Sequence, residues 1–192
     1  MIISNQLIFY LLTSILIILV LVIWVIWTDI IGAGFEPTSS KVVKSMLTMA
    51  RVDEDDIVYD LGSGDGRIVI EAARIHHARS VGIEADPIRY WYSKVRVRIL
   101  GLQNRVSLIW KNFFQVDLSR ATVVTLFLSA KANQKLKQKF ITELKPGTRV
   151  VTYYWRIKGW KSEAEDHEKH IFLYVIGKTS YEYSIDLKKD TG

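Results

Sequence analysis

The stretch Asp60-Leu61-Gly62-Ser63-Gly64-Asp65-Gly66-Arg67 restricts this chain more than any other. It follows the apolar run Ile57-Val58-Tyr59 and leads into Ile68-Val69-Ile70-Glu71-Ala72-Ala73-Arg74, whose pattern predicts a helix. Strand, glycine turn and helix in that order make a βα unit. Its glycines let the backbone turn sharply and let a ligand approach the main chain, where the helix start offers free N–H groups. That is a nucleotide-type pocket. A dinucleotide fingerprint, G-x-G-x-x-G, would put its third glycine where Arg67 stands, and the glycine comes one place early at Gly66. Hydride transfer is disfavoured accordingly. A second acid, Glu84, follows the apolar run Ser80-Val81-Gly82-Ile83. An acid about 20 residues beyond such a turn can accept both hydroxyls of a ribose. The plain alternative is a structural βαβ unit with two solvated acids.

The alternation continues. Pro37 biases Glu36 away from helix, and Thr38 or Ser39 can cap an amphipathic helix through Ala50 that carries Val42, Val43, Met46 and Leu47 against the sheet edge. Asp86-Pro87 predicts a helix start, with the helix running to about Leu100 and stopping at Gly101. Strands are expected at 106–110, 122–128 and 149–155, a helix at 133–144, and an antiparallel pair at 170–177 and 181–185. Strands alternating with helices give an α/β fold with a mostly parallel sheet and helices on both faces. The charged run 163–170 and the pair His76-His77 read as solvated segments, so no metal site is expected.

Residues 7–27 are apolar except for Thr13 and Ser14, and no charged side chain precedes Asp29. Spanning a bilayer takes about 20 such residues, and Tyr10, Trp24 and Trp27 suit the two interfaces. The basic start and small-residue cleavage site of a signal peptide are missing. Lys41 and Lys44 follow the span while no Lys or Arg precedes it, which predicts a single-pass membrane protein with its domain in the cytoplasm. The organisation is therefore an anchor at 1–28, a linker and substrate/cofactor loop at 29–37, and one domain at 38–192. A net charge of +6 suits an anionic partner, and with an anchor present the lipid bilayer is preferred over nucleic acid. Zero cysteines exclude disulfides, thiolate zinc sites and a cysteine nucleophile.

Beyond the glycine motif, the chain carries Phe35-Glu36-Pro37-Thr38, Gly82-Ile83-Glu84, Asn112-Phe113-Phe114-Gln115-Val116-Asp117-Leu118-Ser119 and Glu143-Leu144-Lys145-Pro146-Gly147. With these it resembles the seven-strand (class I, Rossmann-like) S-adenosylmethionine-dependent methyltransferases. More narrowly, it resembles archaeal protein-lysine methyltransferases and membrane-anchored mitochondrial lysine methyltransferases. The resemblance implies S-adenosylmethionine as cofactor, protein substrates with accessible lysines as partners, and no metal. It implies that Asp60, Gly62, Ser63, Gly64, Asp65 and Gly66 shape the methionine part of the cofactor site, that Glu84 takes the ribose, and that Asn112 with Phe113 meets the adenine. Thr38 would bond the cofactor carboxylate or, alternatively, cap a helix. Phe35 would wall a lysine channel or simply anchor the loop, while Ser129 and Tyr154 would lie on the substrate side. Phe114 reads as a core aromatic. Glu36 and Asn112 depart from the family's usual residues. An RNA, lipid or small-molecule acceptor, or an inactive cofactor-binding scaffold, are the competing readings.

Overall fold

The computed structural model describes residues 5–30 and 38–178, with side chains described for 5–23 and 38–178. Phe35, the loop around it and the expected strand at 181–185 lie outside the described residues. The chain divides into two compact units, Met1–Phe35 and Glu36–Gly192.

The first unit holds helix α1 (Asn5–Ile30), whose stretch Asn5–Ile23 has a mean hydropathy of 2.8 and is long and apolar enough to cross a membrane. Its described side chains, residues 5–23, are exposed apart from the half-buried Thr13. The two polar interruptions are satisfied within the helix: Thr13 Oγ1 donates to the Phe9 carbonyl at 3.0 Å and Ser14 Oγ to that of Tyr10 at 2.8 Å. Such back-bonding lowers the cost of placing a hydroxyl among apolar neighbours.

In the second unit α2 (Ser40–Met49) precedes β1 (Ile57–Leu61), α3 (Arg67–Ile75), β2 (Arg79–Glu84), α4 (Pro87–Ile99) and β3 (Val106–Trp110). Then come β4 (Val123–Leu126), α5 (Ala130–Glu143), β5 (Arg149–Tyr153), β6 (Ala164–Asp166) and β7 (Ile171–Val175). The described strands form one seven-stranded sheet in the order β3-β2-β1-β4-β5-β7-β6. β1 to β5 run parallel, β7 pairs antiparallel with β5, and β6 antiparallel with β7. On one face Val42, Val43, Met46 and Leu47 of α2 pack with Ile68 and Ala72 of α3 over Val58, Val123, Val151, Ile171 and Leu173. Side chains alternate along a strand, so Tyr174 points to the other face. There it meets Trp160, which meets Phe140 of α5. Helices thus cover both faces, as the alternation predicts.

Three local expectations are corrected and one open alternative, the cap of α2, is decided. α2 lies across a face of the sheet instead of against its edge, because its apolar stripe meets β1, β4, β5 and β7 together. Ser39, not Thr38, caps α2, its hydroxyl accepting from the Val42 N–H at 3.4 Å. α5 starts at Ala130 and not at 133, because Ser129 Oγ accepts from the Ala132 N–H at 3.2 Å and nucleates the first turn. The charged run 163–170 contributes strand β6, where Arg156 pairs with Glu165 and the Glu163 N–H donates to the Leu173 carbonyl at 2.8 Å. Charged residues suit an edge strand, whose open side must discourage pairing with another chain.

Candidate active site

The chain runs from β1 outward to β3 and then returns to place β4 on the other side of β1. A crevice opens at such a switch point, outside the carboxyl ends of the strands. Most of the sequence-derived site residues gather on this edge. Asp60 and the glycine turn end β1, and Glu84 ends β2. Asn112 and Phe113 follow β3, Ser129 follows β4, and Tyr154 follows β5. Thr38 is buried, and its carbonyl accepts from the Arg67 guanidinium at the start of α3.

The glycine turn is held by geometry as well as conformation. Gly62, Gly64 and Gly66 have φ of 82°, 54° and 77°, the left-handed region that costs other residues energy. The Gly62 and Ser63 N–H groups both donate to the Ile83 carbonyl at 2.9 Å. A Cβ on Gly62 would lie 3.0 Å from Leu128 Cδ2, and one on Gly66 3.1 Å from Ser93 Cβ. Gly82 lies under the turn, where a Cβ would come within 2.8 Å of Ser63 Oγ. That hydroxyl is buried and has no hydrogen-bond partner among the described residues.

Three acids surround the turn. Asp60 is buried, and although Thr125 Oγ1 donates to its carboxylate at 2.9 Å, burial aided by the Glu84 and Asp65 charges pushes its pKa up to about 7. Glu84 Oε2 accepts from the Gly64 N–H at 2.7 Å and Oε1 from the Asp86 N–H at 2.9 Å, so one carboxylate joins the turn to the cap of α4. Each of its oxygens keeps a lone pair. Burial acts to raise the Asp65 pKa, yet Arg67 and Arg96 at 2.8 Å each outweigh it and hold the carboxyl below its ordinary value. Arg96 also donates to the Asp65 carbonyl at 2.7 Å. This clamp has no local signature in the sequence. Arg67 was visible as the residue displacing a glycine, but nothing local links it to Arg96 on the next helix.

Asn112 Oδ1 accepts from the Phe114 N–H at 3.0 Å and so caps the single 3-10 turn Phe113–Gln115. Phe113 is the buried ring and Phe114 the half-buried one, which reverses the core reading of Phe114. On the far side Ser129 caps α5, and Tyr154 leaves β5 with φ of 70° while its N–H donates to the His170 carbonyl at 2.7 Å. Left-handed backbone at a non-glycine residue stores strain and clusters at functional sites. The Tyr154 ring meets Trp155 at 5.1 Å and Tyr153 at 6.3 Å, and Tyr153 packs on Phe127 at 4.5 Å. Asn133 Nδ2 donates to the Trp155 carbonyl at 2.9 Å. Trp155 and Asn133 were absent from the sequence expectations, because strand-end aromatics carry no signal of which edge they share.

The family model of the ANTKMT methyltransferase domain matches residues 60–164, which run from Asp60 through the glycine turn to the first residue of β6. The chain belongs to this methyltransferase family. It is 45% identical to a protein-lysine N-methyltransferase of Saccharolobus islandicus over 75% of this chain and 94% of that one. It is 33% identical to a Xenopus laevis lysine N-methyltransferase named for an ATP synthase subunit, matching 66% of this chain and 55% of the other, so it spans about half the length of that relative. Among solved structures, an RNA methyltransferase from Salinibacter ruber in complex with S-adenosylhomocysteine superposes with a TM-score of 0.72 at 43% identity, covering 73% of this chain and 94% of that one.

The methyltransferase uses S-adenosylmethionine, and the residues present fit it. The orphaned Ser63 hydroxyl can satisfy a polar atom of the ligand, the open glycine turn leaves room for its backbone contact, and Asp60 and Glu84 complement a cationic molecule that carries a ribose. Among the described residues no group of three or more His, Cys, Asp or Glu side chains could hold a metal ion.

Proposed function

We propose that this methyltransferase transfers methyl groups from S-adenosylmethionine to the side-chain amine of protein lysines. The observation that carries the acceptor is the 45% identity to a protein-lysine N-methyltransferase across 94% of its length. The sulfonium supplies a methyl group for in-line attack by a neutral amine, and desolvation and positioning provide the rest. Asp60, Gly62, Ser63, Gly64, Asp65 and Gly66 hold the methionine part, with Asp65 locked by Arg67 and Arg96. Glu84 receives the ribose hydroxyls, Asn112 and Phe113 border the adenine, and the buried Thr38 lies by the cofactor carboxylate. Phe35 lies outside the described residues, and its assignment to the lysine channel rests on the resemblance alone. Tyr154, with Phe127, Tyr153 and Trp155, forms an aromatic rim at the ends of β4 and β5, beside Ser129, that excludes water and attracts an ammonium by cation–π contact.

A lysine ammonium has a reference pKa of about 10.4 and must lose its proton to solvent before it can attack. The expected result is transfer of radioactive methyl groups to lysine-containing protein at a rate that rises with pH from about 7 to 9. Labelling of RNA and not of any protein lysine would replace this reading with the second one, which the likeness to the Salinibacter RNA methyltransferase and the net charge of +6 favour. Against RNA bases stands the segment Leu126-Phe127-Leu128-Ser129, which lacks the Asn/Asp-Pro-Pro-aromatic motif used on exocyclic base nitrogens.

We further propose the organisation 1–28 anchor, 29–37 linker and loop, 38–192 catalytic domain, with a single membrane pass and the domain in the cytoplasm. The apolar α1 and the Lys41/Lys44 bias support this. A short tether keeps the mouth near the bilayer and raises the effective concentration of acceptors there. Deleting residues 1–28 should leave activity on soluble peptides unchanged and lower methylation of membrane proteins in cells at matched expression. Equal methylation of those proteins by both forms would remove the anchor from substrate choice.

A further inference from the structure

We propose that the outer face of α4 is a docking surface for an anionic lipid bilayer, through which the catalytic domain itself touches the membrane. The proposal rests on the membrane attachment inferred above.

A helix that covers a sheet normally buries its apolar stripe and exposes its polar one. α4 instead carries a second apolar stripe, with Ser93 and Val97 buried beneath it and Ile88, Trp91, Tyr92, Val95 and Ile99 exposed. Trp91 is 56% and Ile99 77% exposed. At 3.6 residues per turn these five positions fall within an arc of about 100° on the side opposite Ser93 and Val97. Arg89 and Arg96 border the arc on one side, Lys94 and Arg98 on the other, and the helix contains no acidic residue. The Lys94 ammonium lies 4.8 Å from the Trp91 ring centroid and donates to the Tyr90 hydroxyl at 3.3 Å. Tyr90 stacks on Trp110 at 6.2 Å, and Trp110, 58% exposed, carries the aromatic surface on to the end of β3.

Aliphatic and aromatic residues on one side, tryptophan among them, with Lys and Arg along the borders, are what a helix lying in a membrane interface requires. Lys94 and Arg98 reach back to lipid phosphates while the apolar stripe enters the headgroup boundary, and Arg96 stays on Asp65. A second copy of the chain suits this face less well. A two-fold contact would bring the same basic borders together with no carboxylate on either helix to compensate. Docking would also set the direction in which the mouth faces, because the N-cap residue of α4, Asp86, hangs from Glu84 inside the crevice.

The chain has no cysteine, so a single introduced one reports one place. Full-length protein carrying Val95→Cys or, separately, Ile99→Cys, labelled with an environment-sensitive nitrobenzoxadiazole dye, would be placed in nanodiscs of phosphatidylcholine alone or mixed with phosphatidylglycerol. The expected result is a blue shift and brightening in the anionic discs only, lost in ~1 M salt, where the screening length falls to about 3 Å. A dye at exposed Lys161→Cys should not respond. Lys94→Glu with Arg98→Glu should abolish the shift while methylation of a soluble substrate stays unchanged. Protein that co-elutes with anionic discs and shows no shift at either position overturns the docking face alone. A shift equal in neutral discs or in detergent overturns it in favour of another occupant, a second copy included. Failure to co-elute with either disc overturns the anchor and the docking face together.

Discussion

Glu84→Ala should lower the affinity for S-adenosylmethionine by about 30- to 1000-fold, about 2 to 4 kcal/mol. Two losses add up in this variant. The ribose hydroxyls lose a charged acceptor, worth about 1.5 to 3 kcal/mol for a bond to an ionised group. The Gly64 and Asp86 N–H groups lose their partners at 2.7 and 2.9 Å, so the turn is no longer tied to the cap of α4. Glu84→Gln separates the two contributions. Its amide can accept from one of these N–H groups but turns an NH2 donor toward the other, so it should retain an intermediate affinity. Calorimetric titration with the cofactor measures both variants, and thermal melting shows how much of the loss is structural. Unchanged affinity in the alanine variant would remove Glu84 from the site.

Asp60→Asn should stabilise the cofactor-free enzyme at alkaline pH and leave its stability unaltered in acid. An aspartate in the unfolded chain has a pKa of about 3.9, whereas buried Asp60 in the folded protein titrates at about 7. The folded state therefore holds a proton that the unfolded state releases between these values. Stability contributed by that proton is present in full below about pH 4 and is lost as pH rises through about 7. Asparagine keeps an oxygen for the Thr125 hydroxyl, which donates at 2.9 Å, and never ionises. The gap of about 3 pKa units sets an upper bound of about 4 kcal/mol on the gain at pH 8. For a domain of this size that is roughly 8 to 16 °C in Tm. Melting curves of both proteins at several pH values check this. A difference that is the same at pH 5 and pH 8 would show that Asp60 does not titrate in this range. Cofactor affinity should move the other way, since a cation beside Asp60 favours the carboxylate that asparagine lacks.

These two acids show where local sequence stops being informative. Glu84 stood out because spacing from a glycine turn is a one-dimensional quantity, and the carboxyl edge of a parallel sheet follows from strand–helix alternation alone. The raised pKa of Asp60 was not legible, because it depends on burial between β1 and β4 and on Thr125, which is 65 residues away. Helix starts fared likewise. Asp86-Pro87 announced α4, while the start of α5 was missed because Ser129 acts as a cap only once β4 has ended at Leu126.

The sequence by itself determined the βα glycine unit, the α/β class, the apolar segment able to cross a membrane and most of the residues that meet at the crevice. It did so because backbone conformation, hydrophobic period and hydrocarbon thickness act over a few neighbouring residues or a single helix. The tertiary structure alone decided that Asp65 is clamped between Arg67 and Arg96, that a charged run becomes edge strand β6, that Trp155 is tied to Asn133, and that α4 keeps an apolar stripe uncovered. Each of these depends on which distant segments the sheet order makes neighbours, and burial, pairing and charge coupling exist only after those neighbours are in place.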